Sequence, residues 1–124
     1  MSWLAVGLGA AVGAWLRWGL GLWLNTIHHK LPWGTLAANF SGGYLIGIAV
    51  GFFASHPDLS PEWRLLTVTG FLGGLTTFSS FSAEAMVLLQ RGDYGWALFH
   101  SAMHLVGSIA FCFAGFASYR AISG

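Results

Sequence analysis

Apolar residues run along this chain in four long blocks separated by short polar connections. The blocks extend from Trp3 to Ile27, Trp33 to Ser55, Arg64 to Gln90 and Tyr94 to Tyr119. At about 1.5 Å of rise per residue, each is long enough to cross a hydrocarbon core about 30 Å thick. The connections read "HHKLP", "HPDLSPEW" and "RGD", and Pro32, Pro57 and Pro61 fall in them, where a missing backbone donor costs little. Trp3, Trp23, Trp33, Trp63 and Trp96 lie near block ends, as an interfacial aromatic belt places them. The pattern predicts one all-α domain over residues 1–124, built from four transmembrane helices and with no soluble domain.

Composition agrees with that class. Of 124 residues, 56% are hydrophobic and 7% charged, whereas soluble domains run near a quarter charged. A net charge of +1 without a basic cluster gives nucleic acid nothing to bind. The single cysteine, Cys112, sits in an apolar run, so neither a disulfide nor a cysteine-based metal site is available within one chain. The first block lacks a basic leader and carries Arg17 inside it, which marks a retained span rather than a secretory signal.

The third block breaks the pattern. Its centre reads "GGLTTFSSFSAE", Gly73 to Glu84, with Gly70 just upstream. The glycine pair predicts a helix break at mid-membrane depth, at Gly73-Gly74. Non-helical backbone survives there only when buried in protein or lining a polar cavity, and unwound carbonyls suit a hard cation such as Na⁺. Thr76, Thr77, Ser79, Ser80 and Ser82 follow the break. Such hydroxyls ordinarily bond back to carbonyls one turn earlier, but five within seven residues beside a break predict a polar path. Phe78 and Phe81 are three apart and share a helix face. Two such rings are usually packing, yet their positive edges could also attract a small anion. Glu84, the sole acid predicted inside a span, is expected near an interface or hydrogen-bonded along the hydroxyl row.

Other polar residues sit singly or in stripes. Asn39 lies one turn before Gly43 and so shares its face; on its own it is more simply an interhelical hydrogen bonder. His100, His104 and Ser108 recur every fourth residue in the last block. That stripe reads first as interhelical hydrogen bonding, since a two-histidine metal site lacks a clear carboxylate or thiolate partner in the sequence. Arg17 costs about 2.5–3.5 kcal/mol at a bilayer centre on insertion scales. It either snorkels to an interface or lines a wet, anion-attracting vestibule.

Two glycine ridges, Gly43-Gly47-Gly51 and Gly9-Gly13, allow close helix approach, within one chain or between chains. Four helices enclose no roomy pore, so an oligomer is expected. Orientation is poorly specified: one side of the membrane holds Arg64 and Arg120, the other Lys30 and Arg91. The positive-inside rule has almost nothing to act on, which leaves insertion in both directions level with a single weakly biased topology.

The segments "GAWLRWGLG", "PWGTLAANFSGGYLIG" and "GFLGGLTTFSSFSAE" resemble the Fluc (CrcB) family of fluoride channels across essentially all four spans. The resemblance implies a dual-topology, antiparallel homodimer in the cell's inner (plasma) membrane, with two fluoride pores and a central structural Na⁺. By motif position it places Na⁺-binding backbone carbonyls on Gly73 and Thr76. It puts pore residues at Asn39, Phe78, Phe81, Ser79, Ser80, Glu84 and Ser108, and a vestibule arginine at Arg17. Ser80 stands where the motif commonly has Thr, and His100 stands where the family varies and sometimes has Tyr.

The function this implies is passive F⁻ export from the cytoplasm, which reduces fluoride toxicity. No nucleotide motif, metalloprotease motif or nucleophile with a base is present, so the chain does not read as a pump or an enzyme. The alternative is a small dual-topology, proton-coupled multidrug exporter, which wants an acid facing a substrate chamber. The first two spans contain no acid. A non-transporting scaffold leaves the hydroxyl-rich break without a purpose.

Overall fold

The computed structural model describes residues 1–25 and 32–123. Its elements are helices: α1 (Ser2–Leu24), α2 (Trp33–Ser55), α3 (Pro61–Gln90) and α4 (Tyr94–Ser123), all four long and apolar enough to cross a membrane. The expected end of the first span at Ile27, and Lys30 in the topology count, lie outside the described residues. Helix α3 starts three residues earlier than expected because Ser60 and Pro61 initiate it. The Ser60 hydroxyl accepts the Glu62 N–H at 3.4 Å, and proline at the first helical position loses no bond. The turn into α4 uses Gly92 at φ 80°, which lets Asp93 N–H close back on the Leu88 carbonyl at 2.9 Å.

Helix α1 packs along the first half of α3, and α2 along the second half of α4. Both glycine ridges are spent inside the chain. A Cβ on Gly9 would stand 2.8 Å from Phe71 N, and one on Gly13 2.7 Å from Leu75 N; on Gly47 it would stand 2.7 Å from Phe116 N. Backbone therefore touches backbone at both seams, which is how helices associate where lipid removes the hydrophobic drive. The small apolar core comprises Ala38, Leu72 and Leu75. Large apolar side chains such as Trp15, Trp18, Leu98 and Phe113 point outward, toward what would be lipid.

Helix α3 is interrupted, but not where the glycine pair predicts. Gly73 is helical at φ −62°, ψ −37°, and the helix runs through Leu75. Thr76 then turns extended at φ −87°, ψ 158°, and the second limb starts at Ser79 and runs to Gln90. Gly74 serves approach rather than unwinding, since a Cβ on it would sit 3.0 Å from Ala10 Cα. A β-branched pair, Thr76-Thr77, carries the break. Wide, π-type turns precede it at Leu65–Leu72, and α4 has a similar stretch at Met103–Gly107 opposite.

Candidate functional site

Breaking a helix strands backbone groups, and each needs a partner at this depth. Thr77 N–H would bond to the Gly73 carbonyl in an unbroken helix. Here it donates to Asn39 Oδ1 at 2.7 Å, while Asn39 Nδ2 donates to the Thr77 carbonyl at 3.0 Å. Asn39 thus clips the break to α2. Arg17 Nε donates to the Gly74 carbonyl at 3.0 Å, so it reaches inward to a freed helix end rather than outward to an interface. Thr76 closes the first limb with both its N–H and its hydroxyl on the Leu72 carbonyl, at 3.0 and 2.9 Å.

The second limb is capped by Thr77, whose hydroxyl accepts the Ser80 N–H at 3.1 Å and lies 3.1 Å from Ser79 Oγ. Thr76 and Thr77 therefore secure the break, while Ser79 is exposed and Ser80 half-buried. Phe78 is 77% exposed on the single chain. Phe81, its ring 5.3 Å from that of Phe78, packs against His100 and His104 at 5.4 and 4.9 Å.

Glu84 does not bond along the hydroxyl row. It turns to α2 and α4: Oε2 accepts the Thr35 hydroxyl at 2.6 Å, and Oε1 lies 3.3 Å from His100 Nε2. His104 Nδ1 lies 3.0 Å from Asn39 Nδ2. The histidine stripe thus does meet a carboxylate, contrary to the sequence reading; a partner 16 and 20 positions away on another helix has no spacing signature. A cavity of about 380 Å³ joins Asn39, Thr76, Phe78, Phe81, His104 and Ser108. It gathers Asn39, Thr76, Phe78, Phe81 and Ser108, half of the site residues expected from the sequence, into one aromatic-walled space. Arg17, Gly73, Ser79, Ser80 and Glu84 stand outside its lining. Thr35 is the residue sequence reasoning missed, although it lies one turn before Asn39 on the same face; Thr77 was expected only as one hydroxyl of a polar path, not as the cap and clip of the break.

Four membrane-length helices around a supported break in the third define the class of small polytopic membrane proteins. Residues 4–116 match the family described as CrcB-like protein, Camphor Resistance (CrcB), and the chain belongs to that family. It is 62% identical to a protein of Cupriavidus pinatubonensis named fluoride-specific ion channel FluC, with 99% of this chain and 98% of that one aligned. It is 61% identical to one of the same name from Cupriavidus metallidurans over the same shares. Identity to a Pseudomonas putida protein, also so named, is 58% over 99% of this chain and 97% of that one.

Proposed function

We propose that this protein is a fluoride-selective channel through which F⁻ leaves the cytoplasm passively, working as an antiparallel homodimer with two pores. The observation that carries this reading is the break at Thr76–Phe78, clipped by Asn39 and walled by Phe81. The name shared by its relatives supplies the ion. Undissociated HF crosses lipid, ionises near neutral pH and is trapped as F⁻, so a leak for the anion protects the cell.

Removing water from F⁻ is very costly, so replacement contacts must follow it across. Ser108 and the hydroxyls of Ser79 and Ser80 donate hydrogen bonds, and Asn39 offers the Nδ2–H that otherwise faces His104. Ring edges of Phe78 and Phe81 attract the ion between donors without trapping it. Chloride is larger, and a narrow aromatic passage excludes it. Arg17 draws anions toward the vestibule.

A structural Na⁺ fits the residues present, because Gly73 has lost its helical N–H donor to Asn39 and Thr76 is extended. The carbonyls of Gly73 and Thr76 would hold it, and bound there it supplies a positive charge at the dimer axis. Gly73 and Phe78 are exposed on the single chain, which supports a second copy completing both sites. The exporter reading is weaker, since Glu84 is tied to Thr35 and faces His100 rather than standing free in a substrate chamber. Ion-selective efflux from liposomes, with Cl⁻ and a cationic dye as controls, tests the proposal.

A further inference from the structure

Beside the cavity, three buried polar atoms converge without hydrogen-bond partners: Glu84 Oε1, His100 Nε2 and His104 Nε2. Both imidazoles are almost fully buried, at 2% and 5% exposure, and the three side chains offer ligand atoms within 4.8 Å of one another. His100 Nε2 and Glu84 Oε1 are 3.3 Å apart but not aligned as donor and acceptor. An unmatched buried polar atom is costly and asks for an explanation; three aimed at one point ask for a common one.

We propose that Glu84, His100 and His104 form a binding site for a divalent cation of the zinc type, and that its occupation inhibits the channel. Two imidazoles and one carboxylate are a zinc ligand set with a fourth position left for water. They do not suit Na⁺ or Mg²⁺, which prefer all-oxygen shells. One outer contact that orients such a ligand is in place: the Thr35 hydroxyl holds Glu84 Oε2. Ligand atoms around tetrahedral zinc stand about 3.4 Å apart, as bond lengths near 2.0–2.1 Å require, so the side chains close in by roughly an ångström on binding.

The inhibition follows from the tautomer of His104. Asn39 Oδ1 receives the Thr77 N–H and Nδ2 faces the Thr77 carbonyl, so the amide orientation is fixed and Nδ2 meets His104 Nδ1 as a donor. His104 Nδ1 therefore accepts, and its proton rests on Nε2. A cation on Nε2 moves that proton to Nδ1, donor then faces donor, and Asn39 must release its contact with His104. The metal thus loosens the support of the break, and its charge holds F⁻ where conduction needs it to leave. This inhibitory consequence rests on the fluoride-channel reading; the binding site does not.

The test is Zn²⁺ binding to the purified full-length protein by competition with a chromophoric chelator, with Co²⁺ absorption as a second probe. One Zn²⁺ per chain and the intense visible bands of four-coordinate Co²⁺ are expected. His100→Ala and His104→Ala should each lower Zn²⁺ affinity at least about 100-fold, beyond the about 10- to 100-fold that losing a supporting outer contact costs. His56→Ala, exposed in a connection, should bind like the parent. Absence of stoichiometric binding by the parent, or a Co²⁺ spectrum of octahedral type, overturns the site even if the variants misfold. Unchanged affinity in both alanine variants overturns it too. Zn²⁺ should also slow F⁻ efflux by the parent. Binding without inhibition overturns the inhibitory role, whereas a parent that binds Zn²⁺ but conducts no F⁻ refutes the channel reading and leaves the site standing.

Discussion

Asn39 and Thr77 are joined by two hydrogen bonds, at 2.7 and 3.0 Å, that replace the helical pairing α3 gives up at its break. One side chain on α2 thereby satisfies both backbone groups of a residue on another helix. The same amide reaches His104 on α4, so three helices meet at one side chain.

Replacing Asn39 tests that arrangement. Interhelical hydrogen bonds in membranes average only about 0.6 kcal/mol, but a stranded buried backbone group costs about 1–3 kcal/mol. Asn39→Ala should therefore lower stability by roughly 2 kcal/mol, read by unfolding in detergent. Asn39→Asp keeps the acceptor for Thr77 N–H, sets a carboxylate against the Thr77 carbonyl, and should abolish F⁻ flux by placing a like charge in the path. Parent-like stability in the alanine variant would show that water replaces the amide and that the clip is incidental.

The two phenylalanines separate packing from conduction. Phe81→Ile and Phe78→Ile keep bulk and apolarity but remove the polarised ring edge. Each should strongly lower F⁻ flux while the protein still elutes as an assembled dimer. Should both variants conduct like the parent, the rings serve only to fill space.

How much of this was legible in the sequence depended on the range of the interaction. The spans were readable because their signal is local and repeats over some twenty residues; the grouping of Asn39, Phe81 and Ser108 was implied only by the family resemblance. The position of the break was not readable. Gly73-Gly74 looked like the weak point, but close approach to Ala10 engages Gly74 in packing, and the extended residue is Thr76. The partners of Glu84 were hidden for a related reason: Thr35 and His100 lie 49 and 16 positions away on other helices, and no periodicity within α3 points to them. The same distance hid the carboxylate that completes the histidine stripe.

Topology gives an independent test. With Arg64 and Arg120 against Lys30 and Arg91, the charge bias is close to nil. A C-terminal reporter should be found on both sides of the membrane, and two lysines added to either side should fix one orientation and depress flux. A parental reporter confined to one side would rule out an antiparallel dimer.

The proposed Na⁺ is open to ion replacement. If Gly73 and Thr76 carbonyls hold it at the dimer axis, exchanging Na⁺ for Li⁺ or a large organic cation should weaken the dimer or its flux. Unaltered flux and assembly in medium stripped of trace Na⁺ would count against a bound cation.

The most direct measurement is F⁻ efflux from liposomes containing the purified protein, followed with a fluoride electrode under a K⁺ shunt. The account predicts rapid, protein-dependent release of F⁻ without an applied proton gradient, and no release of Cl⁻ or of a cationic dye above protein-free liposomes. Release of Cl⁻ alongside F⁻, dye movement driven by a proton gradient, or F⁻ retention equal to empty liposomes would contradict it.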